Sequence, residues 1–172
     1  SLVGSEMCIR DSALAVGHNA NALMNESIAI GHSANAARTW STAIGTRANA
    51  SEVRSQAIGY EAEAAGYKAN AIGSGAQATG AHTNAIGSSA IASGDHAQAY
   101  GAGAQAQGVR ANAFGSDAHA TADHAMAIGD HSVVTDVNSV AIGYQSQSAP
   151  ATAVNSATVM TSSITSGAPI AT

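Results

Sequence analysis

Small residues occupy alternate positions along most of the chain, and larger or polar residues fill the positions between them. This period of two is typical of a β-strand. Glycine recurs every 14 residues, without an insertion, at ten positions from Gly17 to Gly143. An alanine-rich helix is the competing interpretation, but a glycine in each helix costs about 1 kcal/mol, and no feature has a helical period. The pattern therefore predicts, in every 14-residue block, a strand of five residues, a turn of two, a second strand of five and a turn of two.

The repeat also predicts which side chains point inward. The positions two and four residues before each repeat glycine, and three and five after it, hold small residues in nearly every block. Side chains of this size fill only a thin core, so the two strands of a block should belong to two closely spaced sheets. Stacked blocks of this kind form an all-β parallel β-solenoid of about ten coils.

The residue immediately before each repeat glycine is an outward position of the first strand, and it is apolar in every block. Coils stacked about 4.8 Å apart would join these side chains into a band roughly 45–50 Å long. Because a monomer rarely exposes such a patch, we expect copies of the chain to pack these bands together around a rotation axis, as the interface of a closed symmetric oligomer. We call the set the apolar stripe: Val16, Ile30, Ile44, Ile58, Ile72, Ile86, Tyr100, Phe114, Ile128 and Ile142.

A second outward column lies beside the apolar stripe, three residues before each repeat glycine. It is apolar at both ends and carries amides over five central coils. Because buried amides need partners, we expect the central side chains to hydrogen-bond along the stack or to hold ordered water. We call this set the companion column: Leu14, Ile28, Thr42, Gln56, Asn70, Asn84, Gln98, Asn112, Met126 and Val140. The outward positions of the second strand are mostly polar, which predicts a solvated face.

Three stretches carry a resemblance to a known family: ESIAIGHSA at 26–34, NAIGSSA at 84–90 and NSVAIGYQS at 138–146. The last matches an N-S-V-A-I-G-x-x-S repeat, and residues 13–149 resemble the YadA-like head of trimeric autotransporter adhesins. The resemblance implies a left-handed parallel β-roll, a parallel homotrimer and non-enzymatic adhesion to host matrix proteins or cell-surface glycans. It also implies a bacterial cell-surface location, with the outer membrane reached only through a C-terminal anchor that we do not recognise in this sequence. The family links this repeat to collagen, which would place a binding site at Asn138, Ser139, Val140, Ala141, Ile142, Gly143 and Ser146.

The repeat divides the chain into three regions. Residues 13–149 are the predicted head. Residues 1–12 break the pattern, with Glu6, Cys8 and Arg10 where the repeat has small residues. We interpret this segment as non-native read-through, the alternative being a non-repeating N-terminal cap. Residues 150–172 are rich in Ser, Thr and Ala, leave the register, and are interpreted as a linker or a final strand.

Composition and charge argue against several other functions. The net charge of −5 argues against binding to nucleic acid or to anionic membranes. The sequence has no apolar run long enough for a transmembrane helix and none of the common catalytic motifs, so we expect no enzyme activity and no cofactor. The stacked histidine pairs, His18 with His32 and His82 with His96, lack further ligands, so we expect no metal site. A segment of a phage tail fibre or another secreted trimeric fibre is the alternative function, because such fibres use the same repeat.

One turn of the predicted coil carries six consecutive basic or titratable residues, one per coil. Two interpretations are open: a cationic edge for sulfated glycan or lipopolysaccharide, or a solvated turn whose charge Asp95 and Asp123 balance. Histidines would make such an edge more cationic as the pH falls. We call the set the basic edge: Arg54, Lys68, His82, His96, Arg110 and His124.

Overall fold

The computed structural model describes residues 7–10 and 12–149, and the regular structure in that part of the chain consists of strands in two sheets. The first sheet contains β1 (Met7–Arg10), β2 (Ala13–Val16), β4 (Ile28–Ile30), β6 (Thr42–Ile44), β8 (Gln56–Ile58), β10 (Asn70–Ile72), β12 (Asn84–Ile86), β14 (Gln98–Tyr100), β16 (Asn112–Phe114), β18 (Met126–Ile128) and β20 (Val140–Ile142). The second sheet contains β3 (Asn21–Ala22), β5 (Asn35–Ala36), β7 (Asn49–Ala50), β9 (Glu63–Ala64), β11 (Gln77–Ala78), β13 (Ile91–Ala92), β15 (Gln105–Ala106), β17 (His119–Ala120) and β19 (Val133–Val134). No helix in these described ranges is long and apolar enough to span a membrane.

Parallel strand pairing repeats once per coil in both sheets. In the first sheet, Ala71 pairs with Ala57 on one side and Ala85 on the other. In the second sheet, Ala78 lies between Ala64 and Ala92 in the same way. With ten parallel strands in one sheet and nine in the other, the described chain forms about nine complete coils and begins a tenth. The predicted parallel β-solenoid is confirmed.

The strands are shorter than the sequence predicted. From β3 onward they have three residues in the first sheet and two in the second, so the prediction of five-residue strands was wrong. The extended backbone is interrupted because a residue with left-handed geometry follows at every seventh position, as at Asn19 (φ 57°) and Glu26 (φ 56°). Hydrogen bonds between coils nevertheless continue through the turns, for example from Ser33 N–H to the His18 carbonyl at 2.8 Å.

The core is a stack of alanines, and the predicted inward positions are confirmed. Nearly all the core alanines from Ala29 to Ala127 are fully shielded from solvent, in columns that alternate with exposed or half-exposed positions. The largest fully buried side chain among the described residues is Val134. A core of this kind buries little apolar area per residue, so its stability rests on close packing and on the backbone hydrogen bonds between coils.

Hydroxyl groups replace alanine at some inward positions without losing hydrogen-bond partners. The hydroxyls of Ser27, Ser41 and Ser55 each donate to the carbonyl three residues earlier, at 2.5–2.6 Å. Thr83 donates to the Gly80 carbonyl at 2.7 Å. Each hydroxyl therefore closes the turn that precedes its own strand, which explains how Ser and Thr can replace Ala in this column.

The repeat glycines are required by two separate features of the coil. Their φ angles lie between 120° and 140°, a region that side chains rarely adopt. A Cβ added to Gly17 would also lie 2.6 Å from the carbonyl oxygen of Gly31 in the next coil. Gly75 is different, because its φ of 66° is the left-handed geometry that other residues adopt in the same column, and an added Cβ meets only the Ser89 hydroxyl at 3.6 Å.

This difference predicts unequal effects of two glycine substitutions. We expect Gly87→Ala to destabilise the fold by about 1–3 kcal/mol, because its Cβ would collide with the Gly101 carbonyl. Gly75→Asn should change stability by less than about 0.5 kcal/mol, since asparagine tolerates left-handed geometry. Thermal denaturation at one protein concentration compares the two variants. If both variants lose the same stability, the collision with the Gly101 carbonyl adds no cost, and glycine is needed in each column only for its backbone geometry.

The N-terminal segment adds a strand of the opposite direction. β1 pairs antiparallel with β2, from Met7 opposite Val16 to Arg10 opposite Ala13. The backbone of residues 7–10 therefore covers the outer edge of the first coil. The interpretation of residues 1–12 as read-through stays a prediction, and residues 1–6 and 11 lie outside the described part of the chain. The segment 150–172 also lies outside it.

Candidate interaction surfaces

The apolar stripe forms one continuous column on the outer face of the first sheet. Its residues are direct neighbours in register, as in the series Ile44, Ile58 and Ile72. They remain only partly covered in the single chain: Ile72 is 36% exposed, and Ile142, in the last described coil, is 70% exposed. Tyr100 and Phe114 continue the column with stacked rings, whose centroids lie 5.1 Å apart. The stripe is therefore an apolar surface that the fold of one chain does not cover.

The companion column contains a ladder of hydrogen-bonded amides beside this stripe. Asn70 donates to the Asn84 side-chain oxygen at 2.7 Å, and Asn84 donates to the Gln98 oxygen at 2.5 Å. The Tyr100 hydroxyl donates to the same Gln98 oxygen at 3.2 Å, which ties the ladder to the stripe. Asn112 instead donates to the Arg110 carbonyl. The prediction of bonding along the stack is thus confirmed for three central coils, and the position of the column at a subunit interface stays a prediction.

The basic edge lies at the turn that leads from the second sheet back to the first. All six residues have left-handed backbone geometry, with φ between 55° and 60°. Such geometry at single turn positions favours Asn, Asp and His over branched residues. Arg54, His96, Arg110 and His124 are exposed, and Lys68 and His82 are partly exposed. The structure therefore places the six predicted residues together, one per coil, along one line.

Aromatic groups hold several members of the basic edge in place. The Arg54 guanidinium lies 4.8 Å from the centre of the Trp40 ring, and the Lys68 ammonium lies 5.1 Å from the centre of the Tyr67 ring. His82 and His96 stack face to face with their centroids 4.9 Å apart. These cation–π and stacking contacts align the groups without occupying their hydrogen-bond donors.

The sequence did not point to Trp40 and Tyr67 as members of this surface. They are 46% and 42% exposed. Trp40 occupies the same column as Arg54, one coil earlier, so its place beside the basic edge could have been predicted from the spacing of the repeat. The hydrogen bond from the Trp40 indole to Glu26 at 2.6 Å was not predictable, because it depends on side-chain rotamers.

The two aspartates beside the basic edge make contacts with the backbone. Asp95 accepts a hydrogen bond from Ala81 N–H at 3.0 Å, and Asp123 accepts one from Val109 N–H at 2.8 Å. Each carboxylate therefore bridges its own coil to the one before it. Within the described residues, neither aspartate forms an ion pair with a member of the basic edge.

The opposite turn of the coil holds ion pairs instead. Arg47 donates to Glu61 at 2.8 Å, and this contact lowers the pKa of the Glu61 carboxyl and raises the pKa of Arg47. His131 lies 2.9 Å from Asp130 and 3.8 Å from Asp117. All three contacts are exposed, and those of His131 are ion pairs only when its imidazole is protonated, so their contribution to stability is small. The two turn edges thus differ in character, since the described ion pairs all lie on this one.

The collagen-type motif at residues 138–146 lies in the last described coil of the stack. Asn138 has left-handed geometry, Ala141 points inward and Gly143 has a φ of 120°. Val140 and Ile142 point outward and are 55% and 70% exposed. Most letters of the motif are therefore explained by the architecture of the coil, and among its defined letters the exposed side chains are those of Asn138, Val140 and Ile142. Ligand binding by these residues stays a prediction.

Histidine pairs stack on both turns, but they do not gather further ligands. The ring centroids of His18 and His32 lie 5.3 Å apart, and the two rings are nearly parallel. Among the described residues, no three His, Cys, Asp or Glu side chains converge closely enough to hold a metal ion.

Comparison with known proteins identifies the repeat. A family model described as the YadA head domain repeat (2 copies) matches residues 11–34, 22–48, 41–62, 106–132, 120–146 and 135–156, which together are more than half of the chain. No curated protein matches the chain. Residues 63–105 fall outside the matched segments but continue the same coils in the same register. The matched repeats and the parallel solenoid agree, and the chain belongs to the YadA head repeat family, whose function is of the adhesin type.

Proposed function

We propose that this chain is the head of a homotrimeric adhesin on the bacterial cell surface, and that it binds host matrix or cell-surface glycans without catalysing a reaction. The observation that carries the proposal is the apolar stripe, a continuous outward column that a single chain leaves partly exposed. Packing three stripes around an axis would cover it and hold the chains parallel. The solvated faces would then point outward in three copies.

Adhesion by such a head depends on repetition. Each coil presents small or polar groups that offer weak contacts, and we identify no deep catalytic or ligand-binding constellation among the described residues. Three chains with about nine coils each present many copies of a contact at once. Avidity from repeated contacts can exceed single-site affinity by roughly 10²–10⁴.

Binding to surfaces of different ligand density tests this proposal. The purified trimer is passed over collagen and over heparin immobilised at low and high density, in surface plasmon resonance. We expect apparent affinity to increase at least tenfold with density on a surface that the head recognises, because dense ligand permits multivalent contact. A folded trimer that binds neither surface, nor cultured host cells, would contradict the proposed function.

The collagen-type motif gives a separate outcome in the same experiment. One copy per chain, at Asn138–Ser146, should bind collagen only feebly, and we expect salt-sensitive binding to be the stronger mode. Tight, salt-insensitive collagen binding that is lost with Val140→Asp would show instead that this motif is the main site. Val140 is a suitable probe because its side chain is exposed in the last described coil.

A further inference from the structure

We propose that the central part of the basic edge, from Arg54 to Arg110, is a linear binding site for a sulfated polysaccharide, and that acid strengthens its binding through His82 and His96. This inference rests on the adhesive function proposed above and adds the chemical class of the ligand. It also assigns a role to residues 63–105, which lie outside the matched family segments.

Alignment comes from the coil itself. Arg54, Lys68, His82, His96 and Arg110 occupy the same turn position in five successive coils. At about 4.8 Å per coil, they span about 19 Å along one straight line. Cation–π contacts to Trp40 and Tyr67 and the imidazole stack position the side chains along this line. A straight row of aligned donors fits an extended chain of anionic groups better than a compact ligand.

Charge on this row depends on pH. Arg54, Lys68 and Arg110 are permanent cations, and the same turn carries the carboxylates of Glu52, Asp95 and Asp123, the last of which accepts a hydrogen bond from Val109 N–H. On the flanking strands, the outward positions of the two histidine coils, Gln77, Asn84, Ile91 and Gln98, carry no charge, whereas Glu63 holds the equivalent position in the coil of Lys68. The Tyr67 ring packs edge-on against His82, with the ring centroids 5.4 Å apart. The row therefore has no excess of positive charge at neutral pH, and protonation of both histidines would add two positive charges to it.

The histidine pair links ligand binding to proton uptake. Lys68 lies one coil before His82, and Arg110 lies one coil after His96. The two imidazole rings are stacked between these cations, with their centroids 4.9 Å apart. A sulfate group bound on the outer side of the pair would interact more favourably with imidazolium than with neutral imidazole, so a bound polysaccharide favours protonation and protonation favours binding.

Several features favour a sulfated polysaccharide over other polyanions. The chain as a whole has a net charge of −5, which opposes broad electrostatic attraction to any polyanion and confines binding to the row of aligned cations. The row is narrow, one residue wide, and its exposed aromatic rings provide apolar faces next to the cations. Sulfates stay fully ionised throughout the range in which histidines take up protons, so a sulfated chain keeps its whole charge as the row becomes more cationic.

Two matched variants test the inference. His82→Asn with His96→Asn removes the stacked pair on the basic edge, and asparagine suits the position because Asn138 occupies the same column with φ 57°. His18→Asn with His32→Asn removes the other stacked pair, which lies on the opposite turn. Both variants lose the same titratable groups, so the change in net charge with pH is equal. Circular dichroism and light scattering establish that each is folded and of the same size as the unmodified protein.

Immobilised heparin is the probe, and the affinity of each protein for it is measured at pH 7.5 and at pH 5.5 in low salt. We expect the unmodified head and the His18/His32 variant to bind about tenfold or more tightly at the lower pH, and the His82/His96 variant to lose most of that gain. Lys68→Asn with Arg110→Asn should weaken binding at both pH values, and added salt should do the same. Desulfated heparin should bind poorly throughout.

Three outcomes would overturn the inference. They are an equal loss of the pH effect in both histidine variants, equal binding of desulfated heparin, and no heparin binding by the folded protein. The adhesive function is tested separately by attachment to host cells and to collagen. If attachment persists while any of these three outcomes is found, the polysaccharide site is wrong and the adhesive function stands.

Discussion

Replacing Ile58, Ile72 and Ile86 by serine is expected to abolish the folded trimer. These residues are consecutive members of the apolar stripe, paired in register through the centre of the first sheet. Full burial of one isoleucine contributes about 1.5–3 kcal/mol before entropy, and the triple change removes nine such side chains from a trimer. The alanine core offers little apolar area to compensate. Light scattering should show loss of the trimer, and circular dichroism should show unfolded or aggregated chain.

A matched variant separates the stripe from apolar surface in general. Ile91 and Val133 also point outward, but from the second sheet, and they are half-buried in the single chain. Their replacement by serine should leave the trimer intact, with a loss of about 1 kcal/mol or less for each side chain. A well-folded monomer from the triple isoleucine variant would falsify the proposed interface. If replacing Ile91 and Val133 dissociates the trimer, the interface lies on the second sheet and not on the apolar stripe.

The thin core and the proposed oligomer are two consequences of one sequence pattern. Alanine at nearly every inward position allows coils to stack in strict register, because no side chain has to find space between its neighbours. The same choice limits the apolar area that one chain can bury. Many of the larger apolar side chains then lie outside, in a column that the described residues leave partly exposed and that a second chain could cover. Folding and assembly of such a head should therefore be coupled.

Most of the fold could be predicted because it depends on periodicities that the sequence displays directly. A period of two fixes which residues point inward, and a period of 14 residues fixes the register between coils. Ala71, Ala85 and Ala99 are accordingly buried and in register, as predicted. The length of the strands was predicted wrongly because left-handed residues interrupt them at every seventh position, and most of those residues are not glycine.

The candidate surfaces were predictable as columns but not as contacts. The basic edge and the companion column could be listed from spacing alone, since each coil places the same position at the same place. The cation–π contact between Arg54 and Trp40, and the engagement of Asp95 by Ala81 N–H, depend on rotamers and on backbone geometry in the turn. The sequence therefore left open whether the aspartates neutralise the edge by pairing with its cations, a question that the structure answers for the described residues.

The inward alanines should tolerate no increase in size, and Ala85→Leu tests this. Ala85 is fully buried, with Ala71 and Ala99 directly above and below it in the stack. Leucine adds three carbons where the neighbouring positions are held by backbone hydrogen bonds and cannot move apart independently. Overpacking a core costs about 1–3 kcal/mol in ordinary proteins, and we expect a loss at or above the upper end of that range in each chain.

Gln105→Leu is the matched control, because it introduces the same side chain at an outward position of the second sheet. Its effect should stay within about 0.5 kcal/mol, whereas Ala85→Leu should lower the melting temperature by about 10 °C or more. Both melting curves are recorded by circular dichroism at the same protein concentration, since the stability of an oligomer depends on it. Similar melting temperatures for the two variants would show that the coil can widen around a large side chain. The inward and outward faces would then differ less in packing than the burial pattern of Ala85 and Gln105 indicates.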